Sequence, residues 1–111
     1  MALADKMCIP CTGDVPPLEQ DKIDELLAEL GQGWTLNAEQ HLETEYPYED
    51  FAGAMGFASK VAILADLEGH HPDLHVAWGK LRVEIWTHAI DGLSESDFIL
   101  AAKIQRAHQA G

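Results

Sequence analysis

The sequence predicts a single α+β domain of element order αββαββα, with three helices packed on one face of a four-stranded antiparallel sheet. Three observations carry that prediction. Apolar residues recur with helical spacing in three separate stretches. Between them, three stretches alternate apolar and polar residues with the two-residue period of a strand, and a fourth, Leu74 to Trp78, leads through a turn into the last of them. The strand stretches come in two pairs, each joined by a short reversal, as hairpins require. A length of 111 residues suits one domain of about 100–150 residues, and no repeat or second domain is visible.

The elements follow in order. Residues 1–17 form a leading segment rich in Pro, Gly and Asp, expected to be a flexible tail, and residues 18–111 form the folded domain. Pro16-Pro17 favours a helix start, and Ile23, Leu26, Leu27 and Leu30 define the apolar stripe of a first helix that Gly31 or Gly33 ends. Trp34, Leu36 and Ala38 alternate with polar neighbours, as do Leu42, Thr44, Tyr46 and Tyr48; these predict a hairpin whose second strand is interrupted at Pro47. From about Glu49 to Leu67 the period becomes helical, with Phe51, Met55, Ala58, Val61, Ala62 and Ala65 on one face and Phe57 and Leu64 beside it. So broad an apolar arc predicts packing against the sheet and against a second element or subunit.

Gly69 ends that helix, and Pro72 holds His71 extended in the loop that follows. A strand at 74–78 turns at Gly79-Lys80 into a strand at 81–88. There Leu81, Val83, Ile85 and Thr87 face the core, and Arg82, Glu84, Trp86 and His88 face the polar side. Ser94-x-x-Asp97 is a capping-box-like start to the last helix, continued by Phe98, Ala101, Ala102 and Ile104. Trp78 is expected to be structural.

Composition excludes several functions. The 7 Lys and Arg against 19 Asp and Glu give a formal charge of -12, too acidic for a protein whose main partner is nucleic acid or an anionic membrane. With 47% hydrophobic residues the chain is not a disordered acidic tail. No stretch approaches the roughly 20 apolar residues of a membrane span, and Met-Ala-Leu-Ala-Asp-Lys is not an export signal, so a cytoplasmic protein is predicted. Cys8-x-x-Cys11 lacks the second pair of a zinc ribbon and the strand-to-helix setting of a redox motif, and is read as two reduced thiols in the tail.

The residues that can carry chemistry are His70, His71 and His88, with His75 nearby. Histidine gives and takes protons near neutrality. Residue chemistry alone leaves three readings open: His70 and His71 as cations at a helix C-terminus with His88 a solvated strand residue, a metal site through His71 with His75 or His88, or metal-free acid–base catalysis. The metal reading lacks the His-Glu-x-x-His spacing or a set of thiolates.

The segment Asp66-x3-His70-His71-Pro72-Asp73-x4-Trp78-x9-His88, followed by Gly92-Leu93-Ser94 and Asp97, resembles the signature of the pterin-4a-carbinolamine dehydratases. Gly33-Trp34-Thr35-Leu36, the stretch Gly53 to Val61 and Thr87-His88 resemble further parts of that family's pattern, so the likeness covers about residues 18 to 106. It implies an αββαββα fold and dehydration of a 4a-hydroxytetrahydropterin to the quinonoid dihydropterin, with no metal and no cofactor, the pterin being the substrate. It further implies recycling of the pterin used by an aromatic amino acid hydroxylase, and a homodimer or homotetramer. His70, His71 and His88 are then the active-site residues, with Asp66, Pro72, Asp73, Trp86, Thr87 and Asp97 binding substrate or supporting them. Within that set Asp66 is expected to pair with His70 or to be a solvated charge, Asp97 to cap its helix or orient a histidine, and Trp86 to border the pterin or a subunit contact. Leu74, His75 and Trp86 depart from the family's animal members. The alternative on the same fold is a noncatalytic dimerisation or assembly cofactor.

Overall fold

A computed structural model describes residues 2–8, 16–31 and 33–110. Helix α1 (Gln20–Leu30) lies on helix α3 (Glu95–Ala110), burying Leu26 with Ile23, Leu27 and Leu30 partly covered, and stops where Gly31 adopts φ 85°. Strands β1 (Thr35–Leu36), β2 (Leu42–Pro47), β3 (Asp73–Ala77) and β4 (Lys80–Ile85) form one antiparallel sheet in the order β1-β2-β4-β3. Helix α2 (Phe51–Glu68) packs on β3 and β4 and against α3. The predicted element order and fold class are therefore present.

Register explains the core. Leu42, Thr44 and Tyr46 stand opposite Ile85, Val83 and Leu81, and all six are buried beneath the helices. Glu43, Glu45 and Pro47 oppose Glu84, Arg82 and Lys80 on the other face, as the period-2 alternation of strands dictates. Glu43 and Glu84 are like charges placed side by side, which disfavours the pairing. Arg82 Nη1 donates to Glu43 Oε1 at 2.9 Å and lies 3.5 Å from Glu84 Oε1, and the Asn37 amide donates to both carboxylates.

Several expectations are corrected. The first strand shortens to two residues because Asn37 Oδ1 accepts from the backbone N–H groups of Glu39 and His41, and Gln40 turns at φ 66°, so side-chain turn chemistry takes over from the ladder. Strand β4 ends at Ile85, three residues earlier than expected; His88 opens a 3₁₀ turn (His88–Ile90) closed by the Thr87–Gly92 bridge. The buried face of α2 is Ala54, Phe57, Ala58, Val61 and Ala65, whereas Phe51, Met55 and Ala62, expected on it, are exposed. Ser59, Lys60 and Asp66 are exposed, and the face turned away from them, rich in small alanines, is the one that packs. Trp78 is 77% exposed at the β3–β4 turn and supports no core among the described residues.

Residues 2–8, within the stretch assigned to a flexible tail, lie against the domain. Leu3 is buried, Arg106 donates to Asp5 Oδ1 at 3.0 Å, and the Cys8 N–H donates to Glu68 Oε1 at 3.1 Å. Burial, and then the Glu68 carboxylate, push the Cys8 thiol up to about 12. Cys11 lies outside the described residues.

Candidate active site

Two loops meet at the edge of the sheet. The first follows α2: Gly69 caps the helix in the left-handed region at φ 67°, and the His70 N–H donates back to the Ala65 carbonyl at 3.2 Å, which turns the chain sharply and sets His70 and His71 at the exit. The second is the Thr87–Gly92 turn carrying His88. Between them Gly69, His70, His71, Trp86, Thr87, His88 and Ala89 line a cavity of about 320 Å³. Its size is at the lower end of small-molecule sites, roughly 300–1,000 Å³. Histidines separated by seventeen positions in the chain thus share one opening.

The histidines are held differently. His70 is nearly buried, and its Nε2 donates to Asp97 Oδ1 at 2.5 Å. Asp97, fully buried in the first turn of α3, also accepts from Thr87 Oγ1 at 2.8 Å and from the Ser94 N–H at 2.8 Å through Oδ2. It therefore caps the helix and orients a histidine at once. A carboxylate there is further favoured by the positive end of the helix dipole. With Nε2 committed to Asp97, Nδ1 is the His70 ring nitrogen left outside that hydrogen bond.

His71 is exposed, and its Nε2 pairs with Asp66 Oδ1 at 3.0 Å. This corrects the expected Asp66–His70 pairing: Asp97 already holds His70, and the chain reversal at Gly69 swings the next residue back toward Asp66. Pro72 and Asp73 shape the loop and begin β3 without lining the cavity. His75, exposed on β3, stands 3.7 Å from Glu84.

The sequence reading missed His41. Its ring stacks on Trp86 at 3.9 Å between centroids and 1° between planes, and Trp86 stacks on His88 at 4.1 Å and 12°. The signal lay in register: Leu42 opposes Ile85, so the next residues outward, His41 and Trp86, are neighbours on the opposite face. His41 Nδ1 lies 2.8 Å from Glu84 Oε2. Burial raises the Glu84 pKa, but hydrogen bonds from His41 and Asn37 and the charges of His41 and Arg82 outweigh it and hold the carboxyl below its ordinary value. Among the described residues, Glu39, His41 and Glu84 bring three ligand atoms within 4.8 Å of one another. The Asn37 amide and Arg82 guanidinium already occupy Glu84, and both are donors that oppose a cation there.

Fold and site together define a small α+β protein with a histidine-lined cavity suited to proton transfer on a small molecule. The chain belongs to the pterin 4 alpha carbinolamine dehydratase family, whose profile matches residues 16–107. A provisionally named pterin-4-alpha-carbinolamine dehydratase of Rickettsia bellii is 58% identical over 103 residues, covering 93% of this chain and 91% of its own. One from Alkaliphilus metalliredigens, named likewise, is 43% identical over 104 residues, covering 94% of each chain. The crystal structure of a transcriptional coactivator/pterin dehydratase from Brucella melitensis superposes with a TM-score of 0.74 at 27% identity, covering 81% of this chain and 96% of its own. No helix among the described residues is long and apolar enough to cross a membrane.

Proposed function

We propose that this protein dehydrates 4a-hydroxytetrahydropterins to quinonoid dihydropterin and water, restoring the pterin used by an aromatic amino acid hydroxylase. The observation that carries this reading is the convergence of His70, His71 and His88 on one cavity, in a chain of this family.

The reaction needs only proton transfers. The C4a–O bond breaks with its electron pair leaving on oxygen, which takes a proton to become water. The N5 proton leaves to a base, and the N5 electrons form the N5=C4a double bond. His70, backed by Asp97, serves as the base at N5; His88 delivers the proton to the departing hydroxyl; His71 positions the pterin. The two histidines return to their starting states by exchange with solvent. No metal and no organic cofactor is assigned, since each of these steps is a proton transfer that histidine performs. A neutral bicycle bound by hydrogen bonds requires no positive field, which is compatible with a net charge of -12.

Phe51, Met55, Ile63 and Leu67 are large apolar side chains left exposed on α2, and β1 and β3 are the sheet's edges. Both features support self-association as a homodimer or homotetramer. The name of the Brucella neighbour favours a second reading, a coactivator acting through protein contacts. Ultraviolet decay of enzymatically generated carbinolamine separates the two: a rate well above the spontaneous one supports the dehydratase, and no acceleration supports the coactivator alone.

A further inference from the structure

We propose that His41, anchored by Glu84, is a positioning residue: it fixes the Trp86 ring from behind and, through that ring, the plane of the His88 imidazole. The proposal rests on the dehydratase reading given above. His41, Trp86 and His88 form one column of nearly parallel rings, spaced 3.9 Å and 4.1 Å, so both faces of the indole are occupied. Trp86 and His88 line the cavity, whereas His41 does not.

The far end of the column is tied down. His41 is buried, with Glu84 Oε2 2.8 Å from its Nδ1, and the Asn37 amide donates to that same oxygen at 2.8 Å. Asn37 Oδ1 also accepts the His41 N–H at 3.1 Å, so one side chain fixes both the backbone and the acidic partner of His41. The near end is different. His88 is exposed and opens a three-residue 3₁₀ turn, where its side-chain torsions are not enclosed by a core. Stacking on an indole whose opposite face is already filled confines the imidazole to one plane. Proton transfer depends steeply on that geometry, since misplacement by about 1 Å can cost roughly 10²-fold.

With both faces taken, Trp86 is not a platform on which the bicycle stacks. The hairpin turn between β1 and β2, distant in sequence from the histidine loop, thereby becomes part of the catalytic framework. The test compares His41→Ala, His41→Phe and His88→Ala by steady-state dehydration and by proton NMR of the His88 ring, which the indole current shifts upfield.

Expected for His41→Ala is a fall in kcat of about 10-fold with KM within about twofold, and a loss of the upfield shift. His41→Phe keeps a flat ring against Trp86 and restores most of kcat. A purely structural His41 would lower the melting temperature without separating kcat from KM. Unchanged kcat in His41→Ala, while His88→Ala is inactive, overturns the positioning role and leaves the dehydratase reading intact; full activity in His88→Ala overturns that reading itself. Should His41→Ala not fold, Glu84→Gln loosens the same anchor and must show the same split between kcat and KM, and its absence overturns the proposal.

Discussion

His70 Nε2 donates to Asp97 Oδ1 at 2.5 Å, and Asp97 has no solvent exposure. One buried carboxylate thus joins the loop after α2, the Thr87 hydroxyl and the start of α3. Asp97→Asn keeps the shape but replaces the carboxylate that orients His70 with an amide. The expected result is a loss of kcat of roughly 10- to 100-fold with KM little changed, a part of the 10²–10⁴ that acid–base catalysis supplies. Asp97→Ala leaves three donors without their acceptor and should lower unfolding free energy by about 3 kcal/mol in urea titration.

Glu84 provides a pH dependence of stability. Its folded pKa lies below the ordinary value of 4.5, so the stabilisation is present above that value and is lost as pH falls through the folded pKa. Urea midpoints of the wild type should therefore fall below about pH 4.5 by more than those of Glu84→Gln. Parallel acid profiles would remove Glu84 from this role.

Cys8 should be a poor nucleophile. With its pKa pushed up to about 12, the thiolate is scarce at pH 8. In a Cys11→Ser variant, labelling by a disulfide reagent at pH 8 should be at least about tenfold slower than in urea, because the thiolate fraction rises on unfolding. Equal rates would mean that the Cys8 contacts with Glu68 and Ser96 do not persist in solution.

The exposed apolar side chains of α2 should hold subunits together. Ile63→Glu combined with Leu67→Glu adds charge to side chains 63% and 78% exposed in the monomer, so folding should survive while sedimentation shifts to a smaller species. An unchanged sedimentation coefficient would assign assembly to the sheet edges instead.

Periodicity made the fold legible: the strand alternation at Leu81, Val83 and Ile85 is the alternation of burial. It misplaced the inner face of α2 by part of a turn, because apolar residues spread over a wide arc of that helix and the buried ones include the small Ala54, Ala58 and Ala65. The histidines were legible as a motif, and the cavity contains all three. Their carboxylates were less so. Asp66 is four residues from His70 in sequence yet pairs with His71, since Gly69 reverses the chain between them. His41 carried no motif; cross-strand register alone brings it to Trp86.

The most direct measurement is dehydration of generated carbinolamine by the wild type and by His70→Ala, His71→Ala and His88→Ala at several pH values. The wild type should accelerate the reaction, His70→Ala and His88→Ala should each lose about 10²-fold or more in kcat, and His71→Ala should mainly raise KM. Full activity in His70→Ala or His88→Ala would contradict the dehydratase reading.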